Sequence, residues 1–381
     1  MGCFSLLKAK SRLAKEQRLS SALENSADGK PASKLTQRNT PAIVEGKSGS
    51  LRVFDLAELR SATNDFSRRL KIGEGGFGSV YKGFIRSVAV DGRGDRITVA
   101  VKVLNKEGLQ GHKQWLAEVQ VLGILRHPNL LKLIGYYSGD SKNDIQRLLV
   151  YEYMSNKSLD EHLFNRDYPA LPWNLRLKIA LGAAEGLAYL HEGLEVQIIH
   201  RDLKASNILL DDEFRPKLSD FGLAREGPTG DGSHVSTSVV GTHGYAAPDY
   251  IETGHLSTKS DVWSFGVVLY ELLTGRRPFE KSRPTNEREL LNWVKQFPIE
   301  SKRFNMIMDP RLKYQYSLKA AREVARLANI CLNKHPKERP KMSEVVETLR
   351  QADRVTDAAR HMASIAVSGV EKGNGTGSRE S

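Results

Sequence analysis

The segment His200-Arg201-Asp202-Leu203-Lys204-Ala205-Ser206-Asn207, with Asp220-Phe221-Gly222 following thirteen residues after Asn207, constrains this chain more than any other feature. It brings two aspartates, a lysine and an asparagine into one short stretch. Such a set suits phosphoryl transfer, whose loose transition state leaves the protein mainly to position reactants and neutralise charge. Asp202 is the carboxylate that would orient an attacking hydroxyl. Lys204 would neutralise charge on a γ-phosphate. Asn207 and Asp220 offer hard oxygen ligands to Mg2+, which keeps several waters and needs few protein groups.

Two earlier elements fit the same chemistry. Gly73-Glu74-Gly75-Gly76-Phe77-Gly78-Ser79-Val80 lies between strand-like runs, and the strand pattern continues from Val80 to Ile85. Glycines in such a hairpin let backbone amides approach phosphate oxygens. Taken alone, the motif is equally a plain tight hairpin, because Gly-x-Gly-x-x-Gly recurs in other settings. Val99-Ala100-Val101-Lys102 then places a lysine inside an apolar strand, where burial is costly without a partner. Glu118, on the helical run from Gln114 to Leu122, is the natural partner. Lys102 would hold the α- and β-phosphates of ATP while Glu118 orients it. A lone helical glutamate is otherwise usually solvated.

The 381-residue chain is long enough for a catalytic unit with tails, and 40% hydrophobic content supplies a sizeable core. Residues 1–50 are rich in Ser, Lys, Ala and Asn, and read as a disordered tail that cannot bury enough apolar surface. Residues 51–65 form an N-terminal extension, 66–350 the catalytic domain, and 351–381 a mostly disordered C-terminal tail. In the first third, β-branched runs at Thr98–Val103 and Leu148–Tyr151 flank a helix over Lys113–Leu125. The rest reads as helical, so an α+β fold with a small β-rich lobe and a larger helical lobe is expected. The longest apolar run, Val262–Leu273, is interrupted by Glu271 and too short to span a bilayer. No secretory leader is expected, and two cysteines, Cys3 and Cys331, cannot form a disulfide framework. The net charge of +12 admits nucleic-acid or membrane partners, but no zinc spacing or RNA-binding aromatic signature accompanies it, so no nucleic-acid partner is expected.

From about Phe66 to Leu349 the chain resembles a eukaryotic protein kinase, and specifically the plant receptor-like cytoplasmic kinases of subfamily VII. The subfamily features are Met1-Gly2-Cys3-Phe4-Ser5, the run from Phe54 to Phe66, the run from Ile72 to Lys82, and Asn292-Trp293-Val294. The resemblance implies the bilobal kinase fold, with ATP and Mg2+ (or Mn2+) as cofactors. It implies a monomer acting on protein substrates downstream of a receptor kinase, in plant immunity or development. Gly73, Gly75, Gly78 and Val80 would cover the nucleotide. Tyr151 would be the gatekeeper, and Glu152 and Met154 would offer backbone groups to adenine. Leu122, Leu133, His200 and Phe221 match the stacked spine of active kinases, and Asp261 would anchor the catalytic loop. In the family, Lys204 with Thr242 goes with Ser/Thr acceptors. The alternative is a pseudokinase scaffold. A scaffold need not retain Lys102, Glu118, Asp202, Asn207 and Asp220 together, and this chain does.

Three departures stand out. Ala247-Pro248-Asp249 replaces Ala-Pro-Glu, and an aspartate one methylene shorter predicts a looser pair with Arg339. The glycine-rich loop Arg86–Arg96 has no assigned role. Gly230-Asp231-Gly232 lacks the lysine that some relatives carry, as part of a site for pathogen proteases.

Two modifications are expected. Arg201, beside Asp202, calls for an anion that a phosphate on the activation segment would supply. Candidates are Ser233, Ser236, Thr237, Ser238 and Thr242, with Ser236 and Thr237 favoured by the resemblance. At the N-terminus, Gly2 would take myristate and Cys3 palmitate, although the serine stands at Ser5 and Leu6 follows it. Lys8, Lys10, Arg12, Lys15 and Arg18 would add attraction to an anionic membrane surface. The expected location is the cytoplasmic face of the plasma membrane, with an unmodified cytosolic protein as the alternative.

Overall fold

Strict alternation in Arg96–Leu104 sets the architecture of the small lobe. Val99 and Val101 point to one face, while Ala100 and Lys102 point to the other. The computed structural model describes residues 51–75, 78–86, 95–105, 109–141, 144–228 and 232–373. Within it, the small lobe comprises β1 (Arg52–Val53), α1 (Leu56–Ala62), β2 (Lys71–Gly75), β3 (Gly78–Arg86), β4 (Arg96–Leu104), α2 (Leu109–Leu122), β5 (Leu133–Ser141) and β6 (Asp144–Glu152). The six strands form one sheet in the order β1-β5-β6-β4-β3-β2. Val99 and Val101 join Phe54, Leu59, Ile85, Leu148 and Val150 in a core on the outer face. The inner face, with Ala100 and Lys102, looks into the interlobe cleft.

The segment read as an extension, 51–65, is an integral part of this lobe. β1 pairs in parallel with β5, with Arg52 opposite Gly135. A Cβ at Gly135 would lie 2.1 Å from the Arg52 carbonyl, so only glycine admits the added strand. Phe54 and Leu59 then seal the outer face of the sheet. The helix expected over Lys113–Leu125 is Leu109–Leu122. Most of the Arg86–Arg96 loop lies outside the described residues.

The large lobe contains α3 (Leu159–Phe164), α4 (Trp173–Glu192), β7 (Ile198–Ile199), β8 (Ile208–Leu210), β9 (Pro216–Leu218), β10 (Arg225–Glu226), β11 (Val235–Ser236), α5 (Pro248–Thr253), β12 (His255–Leu256), α6 (Thr258–Thr274), α7 (Leu290–Val294), α8 (Leu318–Cys331) and α9 (Met342–Gly373). Every residue of α6 from Val262 to Thr274 except Trp263 is buried, which makes this helix the pillar of the lobe. Ser257 and Ser260 close its N-terminus as a reciprocal capping box.

The stretch expected to be a disordered tail from residue 351 is instead helical as far as Gly373. Val345, Leu349 and Ala352 are buried, and Trp173 Nε1 donates to Thr356 Oγ1 at 3.1 Å. Tertiary burial carries the helix past the point where composition suggests a tail. The Asp249–Arg339 pair, expected to be loose, is made: Arg339 Nη2 donates to Asp249 Oδ1. Arg339 also donates to the carbonyls of Asn333 at 2.8 Å and Lys259 at 2.9 Å. With the Lys334 carbonyl at 3.4 Å, four acceptors fix the guanidinium, and the shorter carboxylate reaches it from the first turn of α5.

A second buried guanidinium ties the lobe together. Arg176 is only 1% exposed and donates to Leu171 O (2.9 Å), Leu272 O (2.7 Å) and Asp309 Oδ2 (2.6 Å). Burial would raise the Asp309 pKa, but Arg311 and Arg176 outweigh it and hold that carboxyl below the usual carboxylate range. Asp309→Ala leaves Arg176 unpaired, and should cost about 3–5 kcal/mol in denaturant unfolding. The folded pKa of Asp309 lies below its unfolded value. Its contribution is therefore complete above about pH 4 and is lost as pH falls through the folded value, so wild type and variant should converge in acid.

Candidate active site

The β2–β3 hairpin forms the roof of the cleft, with Gly73 opposite Val80 and Gly75 opposite Gly78. Gly78 has φ +146°, and a Cβ there would lie 2.1 Å from the Val103 carbonyl, so its glycine is imposed by β4. A Cβ on Gly75 would meet nothing within 4 Å, so no protein group requires glycine there and space remains over the cleft. Across the ladder, Val80 pairs with Lys102. A cavity of about 460 Å³ lies beneath, lined by Val80, Ala100, Leu131, Met154, Leu209 and Asp220 among others.

Lys102 Nζ stands between two carboxylates, 2.7 Å from Glu118 Oε1 and 2.9 Å from Asp220 Oδ1. Burial disfavours the ammonium, yet the attraction of Glu118 and Asp220 prevails and holds Lys102 above the ordinary lysine range. For Asp220, burial is likewise outweighed by Lys102, and the carboxyl stays below its usual value. For Glu118, burial prevails over Lys102 and the pKa rises. Tyr151 compensates in part, because its hydroxyl donates to Glu118 Oε2. The sequence paired Glu118 with Lys102 alone. The tyrosine contact carries no sequence signal, because it depends on β6 and α2 meeting in space.

At the rim expected to receive adenine, the Glu152 N–H already donates to Lys132 O at 3.1 Å, so only its carbonyl can serve a ligand. The Met154 carbonyl accepts from the Lys157 N–H at 3.3 Å, so its N–H is the backbone group that faces that role. Ala100 and Leu209 also line the cavity and were not singled out from sequence.

The loop from His200 to Asn207 is held by one buried carboxylate. Asp261 Oδ2 accepts from the His200 N–H at 2.7 Å, and Oδ1 accepts from the Arg201 N–H at 2.8 Å. That grip holds Arg201 at φ +73°, a left-handed conformation that costs a non-glycine residue about 1 kcal/mol or more. Leu122, Leu133, His200 and Phe221 are all buried, with the His200 and Phe221 rings 4.8 Å apart. Lys204 Nζ donates to Asp202 Oδ2 at 2.9 Å and to Thr242 Oγ1 at 2.8 Å. The Thr242 hydroxyl in turn donates to Asp202 Oδ1 at 2.6 Å. Asn207 Nδ2 donates to the Asp202 carbonyl at 2.9 Å, so its Oδ1 is the atom left for a cation.

The phosphorylation candidates separate in space. Thr242 belongs to the Asp202–Lys204 cluster. Thr237 Oγ1 accepts from Arg201 Nη2 at 3.2 Å. Ser233, Ser236 and Ser238 are exposed. Gly2 and Cys3 lie outside the described residues, as do Gly230 and Asp231.

With this geometry in hand, the comparisons with known proteins are specific. Residues 66–349 match the protein kinase domain family. The chain is 58% identical over 306 residues to the probable serine/threonine-protein kinase PBL20 of Arabidopsis thaliana, covering 80% of this chain and 77% of that protein. It is 52% identical to serine/threonine-protein kinase PCRK1 of the same plant, covering 84% and 76%. It is 50% identical over 357 residues to probable serine/threonine-protein kinase PBL11, also from Arabidopsis thaliana, covering 92% and 90%. The chain belongs to the protein kinase superfamily, among the plant receptor-like cytoplasmic kinases. The family uses ATP and a divalent metal.

The Tyr151 bond to Glu118 yields a test. Tyr151→Phe leaves a buried carboxylate oxygen without its donor, and should lower stability by about 1–3 kcal/mol. Thermal unfolding measures it, and an unchanged midpoint would mean the bond contributes nothing.

Proposed function

We infer that this protein transfers the γ-phosphate of ATP, with Mg2+, to serine and threonine hydroxyls of protein substrates. The observation that carries this reading is the closed set of Asp202, Lys204 and Thr242, joined at 2.6–2.9 Å. A short hydroxyl must come deep to reach Asp202 between Lys204 and Thr242. Thr242 therefore acts as a positioning residue rather than as a phosphate acceptor.

The residues present suit the cofactors. Open space at Gly75 and the unspent Oδ1 of Asn207 suit phosphate and metal. Bound Mg2+ supplies charge neutralisation on the phosphate oxygens, held by Asn207 and Asp220. Lys102 holds the α- and β-phosphates and is itself oriented by Glu118. Asp202 orients the acceptor hydroxyl and takes its proton as the new O–P bond forms and the bond from the γ-phosphorus to the ADP oxygen breaks. Lys204 balances charge on the transferring group. Lys102→Met or Asp220→Asn should each reduce transfer by about 10²-fold or more, as loss of other preorganised charge-stabilising groups does. Labelled ATP with a generic substrate and phosphoamino-acid analysis tests both parts. Full activity in the variants sinks the site assignment, and phosphotyrosine as the main product sinks the acceptor assignment.

Regulation follows from Arg201. Thr237 already lies against this guanidinium, so phosphate there would form a charge-assisted pair and order the segment. We favour phosphorylation of Ser236 and Thr237. Combined Ser236→Ala and Thr237→Ala substitution should lower activity several-fold, and undiminished activity would count against this.

The location proposed is the cytoplasmic face of the plasma membrane, beneath an upstream receptor kinase. No described helix is long and apolar enough to cross a membrane. One acyl chain binds only marginally, so Gly2 myristate needs Cys3 palmitate or the basic residues from Lys8 to Arg18 as a second signal. Fractionation of wild type beside Gly2→Ala and Cys3→Ser variants should show loss of membrane association in both. Membrane retention in both variants would exclude anchoring through these residues.

A further inference from the structure

His234 of the activation segment and His255 of β12 are two histidines that the kinase reaction does not use. β11 and β12 pair antiparallel, with Val235 opposite Leu256 and Ser236 opposite His255. The Thr237 N–H donates to the Gly254 carbonyl at 3.1 Å, which extends the ladder by one bond. Leu256 is fully buried beneath, and Val235 lies on the same inner face. Alternation therefore puts His234, Ser236 and His255 together on the outer face, where all three are exposed. The two imidazoles stack, with ring centroids 3.7 Å apart and planes inclined by 27°. His234 Nδ1 is engaged with Ser233 Oγ at 2.9 Å, which leaves Nε2 as the ring nitrogen for a ligand.

We propose that His234 and His255 form a phosphate-binding pair for phosphate on Ser236, clamping β11 onto β12. The register makes Ser236 and His255 direct cross-strand neighbours, the closest side-chain relation a ladder offers, and His234 their diagonal neighbour. Two cations of the surrounding elements, Arg201 and Lys259, are engaged with other acceptors. Arg201 donates to Thr237, Ser238 and Tyr250. Lys259 donates to the Arg339 and Pro340 carbonyls. Each imidazole presents an N–H to a phosphate oxygen, and a phosphate bridging the two rings turns a weak two-residue ladder into a fixed one. Because β12 runs directly into α6, the clamp couples the activation segment to the pillar of the large lobe. Thr237 and Ser236 would then have separate receivers, Arg201 for the first and the histidine pair for the second.

The proposal rests on the reading of Ser236 as a phosphate acceptor. In that step a bond forms between Ser236 Oγ and the γ-phosphorus of ATP, the bond from that phosphorus to the ADP oxygen breaks, and the hydroxyl proton is released.

The decisive experiment uses the full chain with phosphoserine installed at position 236 by codon reassignment, beside the unmodified chain. Hydrogen exchange is followed at the amides of residues 235–238. Phosphate should slow exchange there about tenfold, the effect expected of one charge-assisted hydrogen bond. In the His234→Ala/His255→Ala double variant the slowing should fall below about twofold, and His255→Gln, which keeps an N–H donor, should recover part of it. Both histidines are exposed, so the variants keep the fold, and the unphosphorylated variant should match the unphosphorylated wild type. Equal slowing in the double variant, or none in the wild type, overturns the clamp. Mass spectrometry of the autophosphorylated protein tests the underlying reading separately: a Ser236 that never gains phosphate removes it as an acceptor, while the installed phosphoserine still decides what the histidines do.

Discussion

The position of Lys102 depends on two carboxylates that reach it from opposite lobes, and the working cleft depends on Lys102. Glu118 arrives from α2 of the small lobe and Asp220 from the loop after β9 of the large one. A buried ammonium without partners would be untenable, and buried carboxylates near one another would repel. Each group makes the burial of the others tolerable. The pKa directions record this: Lys102 rises and Asp220 falls, because attraction exceeds the burial cost, while Glu118 rises because its burial is the more complete. The charge set thus bridges the two lobes.

A second anchor supports the first. Asp261 holds two consecutive backbone amides of the catalytic loop, and His191 Nε2 lies 2.8 Å from the same carboxylate. Because Asp261 sits in the first turn of the buried α6, the loop inherits the rigidity of the core. Asp202, Lys204 and Asn207 are held in place by this grip. The buried Arg176 and Arg339 do similar work further out, joining segments distant in sequence through several carbonyls and one carboxylate each.

That Lys102, Glu118 and Asp220, and Asp202 and Lys204, come together was largely legible in the sequence because most of them sit in short motifs whose spacing is fixed along the chain. Alternation in β4 put Lys102 on the cleft face, and the helical run containing Glu118 was visible as such. The fold class followed from β-branched runs early and helical periodicity later. Less legible were features that depend on tertiary contacts. Residues 51–65 looked like a flanking extension because Arg52 and Val53 offer too short a strand to detect, and their pairing with β5 needs Gly135 far away. The start of the expected tail looked like one because its composition is polar, whereas Ala352 and Thr356 are buried, the latter against Trp173 of α4.

The sequence alone determined which charged and polar groups stand in the short motifs and in what order, since motif residues close in sequence stay close in space. Only the tertiary structure decided which atoms each group meets. Tyr151 finds Glu118, Thr242 closes over Asp202 and Lys204, and Ser236 falls opposite His255, across separations that no local pattern encodes. Strand register and helix packing set those meetings, and both minimise buried unpaired polar groups over the whole chain at once.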